Sequence, residues 1–400
     1  MRGDLFLDKM ELIDPAYVEA ADEVPQRKKR GRLKWGGLAA CLCLAIAAAF
    51  TLTWHNAPQK PDPAKLATIT IPEFSGGGMG FEGYMCYDIS ELDNGNPWSE
   101  DMDITSLPVY RNGAYDPSGA GIPTGLSEEE MMERLSLTAS ALGLELLSTE
   151  VITDGKADKD TGMAPDTDPT AIHAETNGGT IDIQADGGIL YFLPDEGLAL
   201  PDVYHFTHSS TTDAEAESVL SYLVDAYGEL LGFEHPKAIS WGDYNIFGEL
   251  NRSYQVYDAS GDDLEDILNY NFRCVSFFPD DNGNLYGIRK NDGLLSAEKL
   301  GDYPVISVEE ATQRLIAGNY QTSVPAAFPG EEYIGKVELV YRTGRLEEVL
   351  LPYYRFYVLL PDTMNSSAAE QGLHTYGAYY VPAIAEEYIA NMPTYGGSFN

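Results

Sequence analysis

Residues 35–54 form a run of 20 residues without a charged side chain, WGGLAACLCLAIAAAFTLTW. A helix of that length rises about 30 Å, which matches the hydrocarbon thickness of a bilayer. Trp35 and Trp54 stand at its two ends, and aromatic side chains favour the membrane–water interface. The run therefore predicts a single transmembrane helix.

The charges beside this run predict its orientation. Residues 27–34 carry six basic side chains in eight positions, whereas residues 55–65 carry two. Because positively charged flanks remain in the cytoplasm, we expect a single-pass protein of the cell membrane, with residues 1–34 cytoplasmic and residues 55–400 extracellular. A cleaved signal peptide is a less favoured alternative, since 34 residues precede the apolar core and no clear cleavage site follows it.

Acidic residues dominate the part of the chain that follows the run. The formal net charge is −38, and residues 55–400 hold 17 Lys and Arg against 56 Asp and Glu, hence −39. Such a surface repels phosphate backbones, so we expect no nucleic-acid partner. The simplest role of this charge is to keep the protein soluble.

Two cysteines, Cys86 and Cys274, lie in this acidic part and far apart in sequence. One disulfide between them and two buried free thiols both fit the pattern. No Cys-x-x-Cys pair occurs, which excludes zinc-ribbon and thioredoxin-type sites.

The patterns after residue 126 predict three units, each with one helix followed by an antiparallel sheet. Ser127 and Ser307 each stand three residues before a glutamate, the spacing of a capping box, and a third amphipathic helix covers residues 212–232. Gly143 is expected to end the first helix. Strand-like apolar runs follow each helix, and Asp281-Asn282-Gly283 predicts a hairpin turn between two strands of the second unit. The expected fold class is therefore α+β, with a single transmembrane helix followed by an ectodomain of about three helix-plus-antiparallel-sheet units.

The predicted segments of the chain are a cytoplasmic segment with a basic juxtamembrane run (1–34), a transmembrane helix (35–54), a spacer (55–75), an irregular Gly/Asn/Pro-rich segment (76–126) and α+β units at 127–200, 201–300 and 301–400.

The third unit resembles a known family of domains. Its segments YPVISVEEATQRLIAG, KVELVY, PYYRFYVLL and GAYYVPAI, between residues 303 and 384, resemble the PepSY-type domain and its relatives in the YycH/YycI regulators. The N-terminal layout is also similar to that of membrane-anchored proteins of clostridia-type Gram-positive bacteria. The resemblance implies a helix laid on a small antiparallel sheet, and a regulatory or envelope role rather than a known reaction.

One acidic loop contains the candidate metal ligands. Asp158 and Asp160 precede Gly162 as in part of a calcium-binding loop, and Asp166 and Asp168 lie just beyond. An EF-hand loop also needs a third acidic or amide residue before the glycine and a closing glutamate, and both are missing. A solvated acidic loop is the alternative.

Other motif matches lack the context that their chemistry needs. Residues 78–83 spell GxGxxG without a following helix, and Ser296 and Lys299 form an SxxK pair without the companion motifs of penicillin-binding enzymes. His205 and His208 lie three residues apart in extended chain and so point to opposite faces. We therefore expect no catalytic residue, no cofactor and no enzyme activity.

Aromatic residues cluster on the two last predicted strands. Alternate members must face opposite sides, so one face is expected to be core and the other ordinary surface or an aromatic binding surface for protein or glycan. The members are Tyr353, Tyr354, Phe356, Tyr357, Tyr376, Tyr379 and Tyr380.

These patterns favour a membrane-anchored extracytoplasmic regulatory or protein-interaction protein without enzyme activity. We expect it to engage an envelope protein through its ectodomain and a cytoplasmic partner through residues 1–26, which are too short to fold alone. The alternative is a cell-surface module that binds wall glycan, peptide or cations.

Overall fold

In a computed structural model of the chain, the structure describes residues 66–71, 85–86, 92–118, 120–153, 168–194, 197–244, 249–322, 324, 326–361 and 369–396. The chain divides into two units, residues 1–60 and 61–400, and all described residues belong to the second.

The described strands are β1 Met85–Cys86, β2 Ser106–Arg111, β3 Leu146–Thr153, β4 Pro169–Thr176, β5 Gly179–Gln184, β6 Ile189–Phe192, β7 Pro236–Tyr244, β8 Leu250–Asp258, β9 Cys274–Pro279, β10 Leu285–Lys290, β11 Glu298–Pro304, β12 Gln321–Thr322, β13 Ile334–Tyr341, β14 Val349–Leu350, β15 Pro352–Leu359 and β16 Tyr376–Pro382. The described α-helices are α1 Glu128–Leu142, α2 Asp213–Ala226, α3 Gly228–Leu231, α4 Asp263–Phe272 and α5 Val308–Ile316.

The largest sheet has eight antiparallel strands in the order β3-β4-β5-β6-β10-β9-β8-β7. Burial alternates along its central strands, so that Ile181 and Ile183 of β5 face the core while Asp182 faces outward. Helices α1, α2 and α3 cover the inner face and share one hydrophobic cluster with these strands. The opposite face is called the outer face below.

A second sheet has the order β1-β16-β15-β13, with β12 beside β16, and it is buried on both faces. Tyr354, Phe356 and Tyr379 belong to one hydrophobic cluster, whereas Tyr353 and Tyr380 belong to another. A third sheet, β11-β2-β14, completes the fold. The predicted division of the aromatic cluster into a core face and a surface face is therefore replaced by two core faces.

The predicted α+β fold of three helix-plus-sheet units is wrong. The described residues are mostly antiparallel sheet, with few helices. Strands from residues 127–200 and 201–300 join in one sheet through β6 and β10, where Phe192 pairs with Gly287. This pairing satisfies the backbone groups that each separate sheet would leave exposed at an edge.

The predicted single-pass topology is also corrected. Among the described residues, no helix is long and apolar enough to cross a membrane. The longest described helix, α1, has 15 residues and begins with three glutamates, so it rises only about 22 Å. The run 35–54, on which the membrane and extracellular localisation rested, lies outside the described residues, as does the segment 1–34.

Several local predictions are confirmed. Ser127 caps α1 in a capping box with Glu130, and Gly143 ends the helix in the left-handed region with φ 65°. The turn at residues 281–283 connects β9 and β10 as a hairpin, with Gly283 at φ 84°. Short-range signals therefore set these boundaries.

The capping box gives a stability prediction. Replacing Ser127 with Ala removes the acceptor for the Glu130 N–H and should lower the free energy of unfolding by about 1 kcal/mol. Ser140→Ala, in the exposed part of the same helix, is the matched control and should change stability little. Urea unfolding followed by circular dichroism measures both; equal losses in the two variants would contradict the role of the cap.

Candidate functional site

The outer face of the eight-stranded sheet and one face of the second sheet enclose a cleft of about 330 Å³. This volume lies in the range of small-molecule sites. The cleft is lined by Asn94, Trp241, Gln255, Tyr270, Asn271, Cys274, Asn291, Val340, Tyr341, Arg342, Thr343, Arg355, Tyr357 and Tyr380. Polar and aromatic side chains thus make up most of its wall.

Strand register places the charged residues of one wall. Glu338, Arg355 and Tyr380 form a single cross-strand row over β13, β15 and β16. The Glu338 carboxylate is almost completely buried; it accepts hydrogen bonds from the Arg355 guanidinium and lies 2.6 Å from the Lys336 ammonium. The charges of this row are therefore compensated within the protein.

The pKa of Glu338 reflects this pairing. Burial alone would raise it, but the neighbouring Arg355 and Lys336 cations outweigh that effect and lower the pKa below its ordinary value. The carboxylate is therefore ionised at neutral pH, and breaking the pair would leave an uncompensated buried charge.

Arg342, the second arginine of the cleft, is also compensated. Its guanidinium lies 2.5 Å from the Glu347 carboxylate and donates a 2.8 Å hydrogen bond to Gln321. It also lies over the rings of Tyr353 and Tyr380, at 5.6 and 6.0 Å from their centroids. Both arginines of the cleft therefore contribute donor groups and flat surface without unbalanced charge.

Aromatic rings shape the remaining wall. Arg355 lies 5.0 Å from the centroid of Tyr357, and Tyr270 packs edge-on against Tyr257 at 5.6 Å. The Tyr270 hydroxyl donates to the carbonyl of Asn94, which ties α4 to the loop at that end of the cleft. These contacts fix the rings before any ligand binds.

The amide side chains differ in how firmly they are held. Asn271 accepts from the Tyr341 N–H at 2.9 Å and donates to Ile267 at 2.7 Å, so it is a structural residue. Gln255 donates to the Cys274 sulfur and to the Ser276 hydroxyl, each at 3.4 Å, and Asn291 donates to the same sulfur at 3.6 Å. Sulfur is a weak acceptor and these bonds are long, so both amides can exchange the sulfur for a ligand oxygen at small cost.

Two groups in the cleft resemble candidate nucleophiles or acids but are held neutral. Burial raises the pKa of the Cys274 thiol, which forms no disulfide. Burial, with the nearby Glu338 charge, raises the pKa of Tyr270. Cys274 is thus a thiol and not a thiolate at neutral pH, and the thiolate is the reactive form.

A smaller cavity of about 180 Å³ adjoins the cleft and shares Asn271, Asn291 and Thr343 with it. Its carboxylates are paired: Asp186 lies 2.7 Å from Arg345, and Asp292 lies within 3.7 Å of Arg134. This cavity thus continues the polar wall without adding unbalanced charge.

The predicted metal ligands do not form a site in the described part of the chain. Asp158, Asp160 and Asp166 lie outside the described residues, and Asp168 directly precedes β4. Where side chains are described, no group of three or more His, Cys, Asp or Glu residues could hold a metal ion.

The predicted histidine pair lies in a turn-rich segment instead of extended chain. His205 contacts the Ser210 hydroxyl at 2.8 Å, and His208 contacts the Arg252 carbonyl at 2.9 Å. The GxGxxG match at residues 78–83 lies outside the described residues. Neither histidine lines the cleft.

Two residues of the predicted aromatic cluster, Tyr357 and Tyr380, do line the cleft. The sequence patterns predict neither β7 nor α4, which carry Trp241 and Asn271. The sequence signal that points to the cleft wall is a polar residue between buried residues of a strand, such as Gln255 in β8.

Neither a protein-family model nor a curated protein matches this chain. The resemblance of residues 303–384 to PepSY-type domains therefore stays a prediction.

The buried ion pair gives a prediction with a sign in pH. Glu338→Gln preserves shape but removes the carboxylate charge that compensates Arg355, so the free energy of unfolding at pH 7 should fall by about 3 kcal/mol. Because the pKa of Glu338 is lowered in the folded state, its stabilisation is present above the ordinary glutamate pKa and is lost as the pH falls through the folded pKa.

The matched control is Glu310→Gln, which removes an ion pair with Arg314 in which the glutamate side chain is 55% exposed and should cost less than about 1 kcal/mol. Urea unfolding from pH 7 down to about pH 3, which covers the range below the ordinary glutamate pKa, measures all three proteins. A Glu338→Gln variant with the stability and pH slope of the wild type would contradict the pairing.

Cys274 gives a chemical prediction. Its buried thiol should resist iodoacetamide at neutral pH in the folded protein and react fully in urea, because unfolding restores the ordinary pKa and access. Peptide mass spectrometry after alkylation reads this cysteine separately from the other three. Fast labelling of Cys274 in the folded protein would show that the cleft wall is open.

Proposed function

We propose that the protein is a non-enzymatic binding protein whose cleft holds an uncharged, hydroxyl-rich ligand of the glycan class. The observation that carries this proposal is the combination of aromatic rings, weakly engaged amides and internally neutralised arginines in one cleft. Each of these three features matches a different part of a sugar.

The rings match the apolar faces of a sugar. Trp241 and Tyr270 are partly exposed and offer flat apolar area with polar edges, a combination that suits ligands with both kinds of surface. The Gln255 and Asn291 amides each offer a donor and an acceptor, as sugar hydroxyls require. Arg342 and Arg355 add fixed N–H donors.

Charge argues for a neutral ligand. The carboxylates of Glu338 and Glu347 already balance both arginines, and the formal net charge of −38 repels anions at a distance. A neutral glycan avoids that repulsion and needs no charged partner in the cleft.

The protonation states support binding without catalysis. General acid–base chemistry is most efficient with a group whose pKa lies near the working pH. In the cleft wall, the pKa values of Cys274 and Tyr270 are raised, so both groups stay protonated at neutral pH. Glu338, which pairs with the wall residue Arg355, has a lowered pKa and stays ionised. Cys274 and Tyr270 therefore meet a ligand in fixed protonation states.

The outer face continues beyond the cleft. Gln255, Ser276, Arg289 and Leu190 form one cross-strand row over β8, β9, β10 and β6, and Arg289 is exposed. A linear oligosaccharide that starts in the cleft can extend along this row. We therefore expect longer oligomers to bind more tightly than single sugars.

The test is binding of the full chain to an array of neutral and acidic oligosaccharides, followed by calorimetry with the tightest neutral ligand. Trp241→Ala and Gln255→Ala should each weaken binding by about ten-fold through lost ring contact and lost hydrogen bonds. Tyr333→Ala, an aromatic residue that is 42% exposed and absent from the cleft wall, is the matched control. Binding of acidic glycans only, or equal loss in Tyr333→Ala, would refute the proposal.

A further inference from the structure

The strand β3 lies at one end of the eight-stranded sheet and pairs only with β4 in the described part of the chain. All eight of its residues are exposed. The other long edge strand of this sheet, β7, has buried side chains such as Ile239 and packs against the loop at Gly95. The edge at β3 therefore differs from the covered edge at β7.

Apolar side chains are unusually exposed along β3. Leu147 is 67% exposed, and Leu146, Val151 and Ile152 are each 38% exposed. Native proteins usually protect such an edge with lysine, proline or a covering segment, because its unpaired backbone groups attract other strands. The sequence LLSTEVIT contains neither lysine nor proline, and Glu150 carries its only charge.

The central part of β3 is regular. Its register with β4 shifts only near the two ends, at Leu146/Ser148 and at Ile152/Thr153. The residues between these shifts run in continuous antiparallel register with residues 171–175. A straight five-residue edge of this kind has the geometry that an added strand needs.

The charges around β3 indicate which kind of strand can bind at this edge. Glu150 lies opposite His173 of β4, and His173 lies opposite Asp182 of β5, while Ser148 lies opposite Glu175. Glu150, Glu175 and Asp182 thus carry carboxylates on this face of the sheet, and the His173 imidazole lies 2.6 Å from Asp182 and 3.4 Å from Glu175. A second copy of this chain would bring its own glutamate and a net charge of −38 to the same place, and like charges repel.

We propose that β3 is a docking edge for an extended segment of a protein partner that alternates apolar and basic residues. The partner strand adds its backbone hydrogen bonds to the sheet, its apolar residues cover Leu147 and Val151, and its basic residues face Glu150 and Glu175. This site is separate from the cleft and requires no glycan.

The test uses the full chain and a short fluorescent peptide of alternating valine and lysine. Fluorescence polarisation should show binding, and a peptide of the same charge with a central proline should bind about ten-fold more weakly, because proline removes a ladder hydrogen bond. Hydrogen exchange should slow in β3 when the first peptide binds. Equal binding of the two peptides, or protection elsewhere in the chain, would overturn the proposal.

Variants separate specific pairing from general attraction. Glu150→Lys should weaken the peptide about five-fold, whereas Glu133→Lys, the same charge change at an exposed site of α1, should leave binding unchanged. Sedimentation of the chain alone supplies a further check. A dimer that Glu150→Lys alters would identify a second copy as the occupant and overturn the proposed partner.

Discussion

The burial of β15 and β16 on both faces is the constraint on which the rest of the structure depends. Seven consecutive residues of β16 are buried, so any charge on the neighbouring strands must be paired inside the protein. Glu338 and Arg355 satisfy that requirement across β13 and β15. Their pairing places a fixed, electrically balanced polar row in the middle of an aromatic interior.

That polar row also explains the chemistry of the cleft. The second sheet presents Arg355 and Tyr357 towards the outer face of the eight-stranded sheet, where Gln255 and Cys274 stand. Because Arg342 and Arg355 are both paired with carboxylates, neither needs an anionic ligand. Burial keeps the Cys274 thiol protonated. This charge-compensated, polar-aromatic cleft is the basis of the proposal that the protein binds a neutral ligand.

Local sequence signals predicted the helix starts at Ser127 and Ser307 and the β9–β10 hairpin, because capping and turn chemistry act over a few residues. They did not predict the sheets. The β6–β10 pairing joins positions about 95 residues apart, such as Phe192 and Gly287, and no local sequence pattern indicates this pairing. The same limit applies to the site. Trp241 and Asn271 share the cleft with Arg355, which lies far away in sequence on the second sheet, whereas Tyr357 and Tyr380 belong to an aromatic cluster that the sequence did reveal.

A crystal structure of the full chain with the tightest-binding neutral oligosaccharide tests the central claim most directly. We predict a sugar ring between the two sheets, stacked on Trp241 or Tyr270 and within hydrogen-bond distance of the Gln255 and Asn291 amides. Both arginines should keep their contacts with Glu338 and Glu347. An oligosaccharide bound elsewhere on the protein, with the cleft residues unchanged, would contradict the claim.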